Sequence, residues 1–349
     1  MRYILFSLSL VFVFAFTSRF SSAQDSKKDY NVVCVAFYNL ENLFDTIDTP
    51  NVNDYEFTPE GTNKWDAKRY AHKQTNMAKA ISQIGTDYTP HGAALLGVSE
   101  IENKLVLEDL VKQPEIADRN YQIVHFDGPD RRGVDVGLLY RPDYFKVTNQ
   151  KSYRLTIPDR DDFYTRDQLL VSGELQGELI HVLVAHWPSR SGGEKRSQPL
   201  REAAAALGRH IVDSLLTLDP KAKIIYMGDL NDDPTNASVK KVMRAKGDVD
   251  SLQDADMFNP FYPLYQKGIG SLAYRDSWNL FDQHLISQSL LEKDFTSFRF
   301  FKAFVFNKAF LKQESGRFQG YPFRTFAGGQ FLGGYSDHFP TYLLLIKEK

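Results

Sequence analysis

Apolar, β-favouring runs in this chain end again and again in a carboxylate, an amide or an imidazole. The fullest case is Ile224-Ile225-Tyr226-Met227-Gly228-Asp229-Leu230-Asn231-Asp232-Asp233-Pro234, where a short run that reads as buried strand is stopped by Gly and Pro in a tight loop. Such a chain must deliver hard oxygen donors to a rim. Asp229 could supply a negative oxygen to Mg²⁺ or take a proton from water. Asn231, two residues on, could hold the same water or a phosphate oxygen without adding charge. Taken alone, the stretch reads equally as a solvated turn after a core strand.

The other runs repeat the pattern. Val32 to Tyr38 ends in Asn39 and Glu41, which share a face in extended geometry and could both reach a metal or its waters. A strand-end turn accounts for Asn39 as well. Ala93 to Val98 ends at Glu100, with Glu102 on the same face; two such carboxylates repel unless a cation or solvent separates them. Leu179 to Ala185 ends at His186. A lone strand-end histidine is usually a satisfied core residue, yet this one opens onto Trp187-Pro188-Ser189-Arg190-Ser191-Gly192-Gly193, the ingredients of an anion-binding loop. Asp282 interrupts the run from Trp278 to Ser287, and Asp135 sits within Val134 to Tyr140; a carboxylate so placed needs a partner. Asp337 and His338 precede the last run, Thr341 to Leu345. Arg131 and Arg132, in the turn before Asp135, could fork a phosphate or mark a hairpin tip.

Between these runs, helical periodicity predicts helices over 65–84, 104–116, 197–216 and 239–243. Met1-Arg2, the apolar stretch Ile4 to Phe16 and Ser21-Ser22-Ala23 read as a secretory signal peptide over 1–23, a retained anchor being the alternative. The expected product is exported, periplasmic or extracellular, with no later stretch fit for a membrane helix. Losing 1–23 removes Arg2 and Arg19 and no acid, taking the net charge from −2 to −4, so binding a polyanion requires local positive potential. The stretch Lys293 to Arg324 offers it, with seven Lys or Arg against Asp294 and Glu314 and with interleaved Phe; a sheet with an aromatic core face would look the same. The single Cys34 lies in an apolar run and reads as a buried thiol. No repeat or Pro/Ser linker divides residues 24–349, which predicts one domain.

Taken in order, Tyr38-Asn39-Leu40-Glu41-Asn42, Ser99-Glu100, His186-Trp187-Pro188-Ser189-Arg190, Gly228-Asp229-Leu230-Asn231, Asp282 and Ser336-Asp337-His338 resemble the endonuclease/exonuclease/phosphatase superfamily, in its exported, deoxyribonuclease-like bacterial branch. The resemblance implies an α/β fold, a four-layer sandwich of two mixed β-sheets flanked by helices, with the site at one rim. It implies Mg²⁺, with Mn²⁺ or Ca²⁺ as alternatives, held by Glu100 with Asn39 and Glu41 and with Asp337 nearby. Asp229 would align or deprotonate the attacking water, steadied by Asn231. His338, oriented by Asp282, would contact the scissile phosphate, and His186 would protonate the leaving oxygen. Arg132 and Arg190 are the expected phosphate contacts. The function expected is a secreted metal-dependent phosphodiesterase acting on nucleic acid, DNA or RNA. A phosphatase or phospholipase-type hydrolase of inositol phosphates or sphingomyelin is the rival, and a binding module without catalysis a third possibility.

Overall fold

The computed structural model describes residues 29–349; the leader expected at 1–23 lies outside the described residues. Side chains of a strand alternate between its two faces, and in Tyr30–Leu43 both faces are buried. Val33, Val35 and Phe37 enter one apolar layer, Cys34, Ala36 and Tyr38 another. A strand covered on both sides needs a layer above and a layer below.

The first layer lies between two sheets. One, six-stranded, runs Arg299–Val305, Thr341–Glu348, Tyr30–Leu43, Ala93–Ile101, Asp135–Tyr140, Gln122–His125. The other, seven-stranded, runs Phe145–Tyr153, Gln168–Leu175, Glu178–His186, Lys223–Asp229, Asp282–Ile286, Met257–Phe258, Ala245–Lys246. Phe37, Leu95 and Leu138 of the first face Val182, Val184 and Met227 of the second. Outside the first sheet lie helix α1 (Ala67–Ile81) and helix α2 (Lys104–Val111), through Met77, Ile81, Leu107 and Leu110. Outside the second lies helix α3 (Glu194–Leu218), through Ala204, Ala205, Ile211 and Val212. This is the expected α/β sandwich of two mixed sheets with flanking helices.

Both sheets are mixed, and in each the middle pair is parallel. Tyr30–Leu43 pairs with Ala93–Ile101, the chain returning through α1; Glu178–His186 pairs with Lys223–Asp229, returning through α3. A parallel pair ends both of its strands at the same edge. Asn39 therefore lies opposite Ser99, and His186 opposite Asp229, while antiparallel pairing sets Asp282 against Asp229. Close approach is enforced at Gly228, where a Cβ would stand 2.0 Å from the Ala185 carbonyl oxygen. The register slips between Asn39 and Leu43 and between Ser99 and Ile101, and within those bulges Glu41, Asn42 and Glu100 take positive φ, 46°, 53° and 57°. Bulges of this kind re-aim side chains at a rim.

Element bounds differ from the sequence expectation where caps decide. Asp66 accepts a hydrogen bond from the Arg69 N–H and starts α1 two residues after Trp65. The helix expected over 104–116 stops at Val111, and 239–243 is only a five-residue π turn, Ser238–Val242. Among the described residues, no helix is long and apolar enough to cross a membrane.

Candidate active site

The rim is assembled around Asp229. Its Oδ1 accepts from the Asn231 N–H at 3.0 Å, which the positive φ of Asn231 (50°) makes possible, and its Oδ2 accepts from Asn39 Nδ2 at 3.1 Å. Around Oδ2 stand His186 Nε2 at 3.5 Å and His338 Nε2 at 3.9 Å. Burial pushes the Asp229 carboxyl up to about 7; His338 opposes this, while Asp282 and Glu100 add to it. Such a group exchanges a proton near neutral pH.

His338 is held from behind. Its Nδ1 meets Asp282 Oδ2 at 2.6 Å, and that same oxygen accepts from the Ser271 hydroxyl. Burial disfavours the imidazolium, but Asp282, Asp229 and Asp337 outweigh it and hold His338 protonated well above the usual histidine range. His186 is driven the opposite way. Burial, with Arg166, Arg132 and His338 nearby, keeps it well below that range, so it is a neutral ring at pH 7. The general-acid role expected of His186 needs a proton that burial and these neighbouring cations disfavour on its ring. Its Nδ1 is buried without a hydrogen-bond partner, and Nε2 points between Asp229 and Glu100, the latter at 3.9 Å.

Glu100 receives the Asn42 N–H on Oε2 at 3.0 Å and turns Oε1 toward His186. Asp337 pairs with Arg324 through Oδ2 at 2.8 Å and turns Oδ1 toward His338 at 3.9 Å. These are hard oxygen donors beside Asp229, whose carboxyl is raised first by burial and further by the acids Asp282 and Glu100. The donor set fits a divalent cation such as Mg²⁺ or Mn²⁺. Asn39 and Glu41 are placed differently from the expectation. The Asn39 oxygen accepts from the Glu41 N–H at 2.9 Å and its amide holds Asp229, which makes it a donor to the carboxylate. Glu41 Oε2 accepts from the Thr325 N–H at 2.6 Å and lies 4.0 Å from Lys73 Nζ, while Oε1 meets Arg324 Nε at 3.4 Å.

The model of the endonuclease/exonuclease/phosphatase family matches residues 34–347, the span that carries every element of this rim. The chain belongs to that family. Among solved structures, similarity of fold is found to D. rerio TDP2 complexed with single-strand DNA product (15% identity, 90% of this chain and 98% of that one, TM-score 0.53). It is found also to an endonuclease/exonuclease/phosphatase family protein of Bacteroides thetaiotaomicron (16%, 92% and 97%, 0.53) and to the mannosyl-6-phosphatase of the same organism (15%, 90% and 99%, 0.54). No curated protein matches the sequence. Membership in this family of phosphoric ester hydrolases explains why the acids and imidazoles converge, while the neighbours' differing titles leave the substrate open.

Several expected residues stand away from the endonuclease/exonuclease/phosphatase rim. Arg190, the expected phosphate contact, is engaged by the protein itself. Its guanidinium is taken by the Asn231 carbonyl, Asp232, Asp233, Asn236 and Glu194 and lies 4.5 Å over the Phe281 ring, so it clamps the Asp229 loop. Arg132, about half exposed, stays available near His186. Glu102 turns away to the Asp45 N–H and the Thr49 hydroxyl. Asp135 finds its partner in His125, at 3.2 Å. His284 faces the core, stacked 5.3 Å from Phe261 with Nε2 on Thr341, and Gln283 ties Asn259 to the Asp232 and Leu280 carbonyls.

Sequence reasoning missed Arg166 and Lys73. Arg166, paired with Asp130 at 3.1 Å, donates to the Trp187 carbonyl that also receives Asn231 Nδ2, and so fixes the loop from both sides. Lys73 is buried in α1, where burial lowers its pKa to about 8 against the pull of Glu41. Its signal was its place in the apolar stripe, four residues before Met77 and eight before Ile81. The basic-aromatic stretch divides. Over Arg299–Val305 it is sheet: the flanking Phe298 and Phe306 are core, Phe304 stacks on Tyr342 at 4.7 Å, and farther on Lys308 pairs with Asp87. Over 312–324 it borders the rim, ending in Arg324 on Asp337.

Proposed function

We propose that this chain is an exported, divalent-metal-dependent phosphodiesterase acting on nucleic acid, its catalytic unit spanning residues 24–349 after loss of the leader. The observation that carries the reaction is Asp229, a carboxylate poised near neutral pH and 3.9 Å from an imidazolium that Asp282 locks in place. In this reading Asp229 Oδ2 takes the proton of the attacking water, and the Asn39 amide and Asn231 N–H keep that carboxylate aimed. The His338 Nε2–H holds a non-bridging phosphoryl oxygen and offsets the charge that builds there. His186, neutral, donates from Nε2 to the same anionic centre, and Arg132 reaches the phosphate from solvent. A divalent cation, which Glu100 would hold with Asp337 beside it, would supply Lewis-acid stabilisation of the phosphoryl oxygens.

Nucleic acid is favoured by an aromatic ladder beside His338. Phe339 stacks on half-exposed Trp278 at 6.0 Å and 16°; Trp278 meets Tyr321 at 5.8 Å, and Tyr321 meets exposed Phe318 at 5.6 Å. Arg317 lies over the Phe318 ring and Lys312 over the Phe339 ring. Stacking faces between cations suit bases strung on phosphates, and a TDP2 of the same fold is seen with a single-strand DNA product. The test is a hydrolysis panel of single-stranded DNA, single-stranded RNA, plasmid, inositol phosphates, sphingomyelin and mannose 6-phosphate with Mg²⁺, Mn²⁺, Ca²⁺ or EDTA. Metal-dependent cleavage of the polymers is expected. Turnover confined to a phosphomonoester or a lipid headgroup would replace the substrate while leaving the rim chemistry in place.

A further inference from the structure

Glu41 ends the first strand at the active rim, and its carboxylate is enclosed by the protein. The N–H of Thr325 sits on Oε2, the Arg324 guanidinium approaches Oε1, and the Lys73 ammonium stands 4.0 Å from Oε2. Lys73 is almost wholly buried, and its three donors are directed at the Thr325 hydroxyl (2.7 Å), the Tyr335 carbonyl (2.5 Å) and Glu41. Burying an ammonium is costly unless a counter-charge accompanies it. Here that counter-charge is Glu41. The partners come from far apart in sequence, α1 for Lys73, the first strand's bulge for Glu41 and the 324–335 loop for the rest, so the pairing belongs to the fold rather than to one mobile loop.

Arg324 extends the arrangement outward, from Glu41 to Asp337 Oδ2 at 2.8 Å. The side of the rim formed by Glu41 and Asp337 therefore already holds two fixed positive charges. Among the described residues the side formed by Glu100 holds none in hydrogen-bond contact: its Oε2 accepts from the Asn42 N–H, and its Oε1 faces the Nε2 of His186, 3.9 Å away. A divalent ion seated on Glu41 would lie against Lys73 and Arg324 and be repelled by both. One seated on Glu100 stays within the electrostatic reach of Lys73, Arg324 and Arg166 but in contact with none of them, and so is repelled less.

We propose that Lys73 is a built-in cation that withdraws Glu41 from the metal's coordination sphere, so that this rim binds a single divalent ion, through Glu100. Lys73 is then a positioning residue, acting through Glu41 and, by way of Arg324, on Asp337. The inference rests on the metal-dependent reading above, and the experiment separates the two.

The test is titration of the metal-free mature chain with Mn²⁺, followed by calorimetry and by the electron paramagnetic resonance of free Mn²⁺. The chain is expected to bind one ion. Glu100→Gln should weaken binding more than tenfold, and Glu41→Gln, which keeps the shape of the side chain while removing its charge and one of its two accepting oxygens, should leave affinity within about threefold and the stoichiometry at one. Lys73→Met, provided its circular dichroism is native, should gain a second, weaker Mn²⁺ site that the double variant with Glu41→Gln lacks. Loss of affinity in Glu41→Gln comparable to that in Glu100→Gln would overturn the proposal, as would two ions in the unmodified chain with one lost in Glu41→Gln. Failure of the unmodified chain to bind Mn²⁺ at all would overturn the metal-dependent reading and this proposal together.

Discussion

The same kind of side chain is given opposite jobs at this rim by what surrounds it. Asp229 and Asp282 are both buried, yet Asp282 is spent on His338 while Asp229 is pushed up to about 7. For Asp229→Asn, turnover should fall by about 10²–10⁴-fold, the usual worth of a positioned base. The pH dependence has a definite sign. Raised above the unfolded value of 3.8, the Asp229 carboxyl favours folding in its protonated form, so in the metal-free protein stability is lost as pH rises from near 4 through about 7. Metal-free Asp229→Asn should therefore melt higher than the parent at pH 8 and close to it at pH 4; equal melting temperatures at pH 8 would contradict the shift. Asp282→Asn removes the nearest charge holding His338 protonated. Its imidazole titration, followed by NMR, should move down toward the ordinary histidine range, and kcat should fall with it.

What was legible at this scale followed from cost. A carboxylate inside an apolar strand must have a partner, so Asp282 announced one, and His338 was available to it. The intraprotein role of Arg190 was not legible, because Ser, Gly and Arg in one loop fit a phosphate as well as they fit a row of carbonyls and carboxylates, and only the folded loop shows the guanidinium engaged. Lys73 was hidden because a lysine on an amphipathic helix is assumed to reach water.

At the scale of elements, strand ends carry the chemistry and bulges aim it. The alternation of apolar residues made the strands readable, and the helices between them followed from their period. The bulges were not readable, because nothing in Asn39-Leu40-Glu41-Asn42 distinguishes a straight strand from one that turns Glu41 and Asn42 to positive φ. The hairpin Leu272–Tyr274 with Ser277–Asn279 was likewise unassigned. It roots at Ser271, which holds Asp282, and carries Trp278 over Phe339. Base stacking is worth about 1–3 kcal/mol, so Trp278→Ala should lower kcat/KM on a short single-stranded oligonucleotide by about tenfold under conditions where the variant is still folded. An unchanged kcat/KM would make the ladder packing alone.

Across the whole molecule, two sheets with a parallel middle pair each bring four strand ends to one edge, two from each side of the buried layer. The order of the motifs along the chain made this architecture legible, since each motif lies at one end of a strand and the family model spans 34–347. The substrate was less so, because it is decided by side chains packed at the rim from distant segments. Gathering Glu100, Asp229 and Asp337 costs electrostatic energy that a bound ion offsets. Metal at one hundred times its Kd should stabilise the fold by about 2.7 kcal/mol, visible as a higher melting temperature in Mg²⁺ than in EDTA. A melting temperature indifferent to metal would mean that the acids are neutralised by protein cations alone.

The measurement closest to the central claim is hydrolysis of one single-stranded oligonucleotide by the unmodified chain and by Asp229→Asn, each in Mg²⁺ and in EDTA. Cleavage by the unmodified chain in Mg²⁺, and in none of the other three mixtures, is the result this account predicts. Cleavage that survives either the substitution or the chelator would contradict it, by showing that the phosphodiester is broken without the buried carboxylate or without the cation that this rim is built to hold.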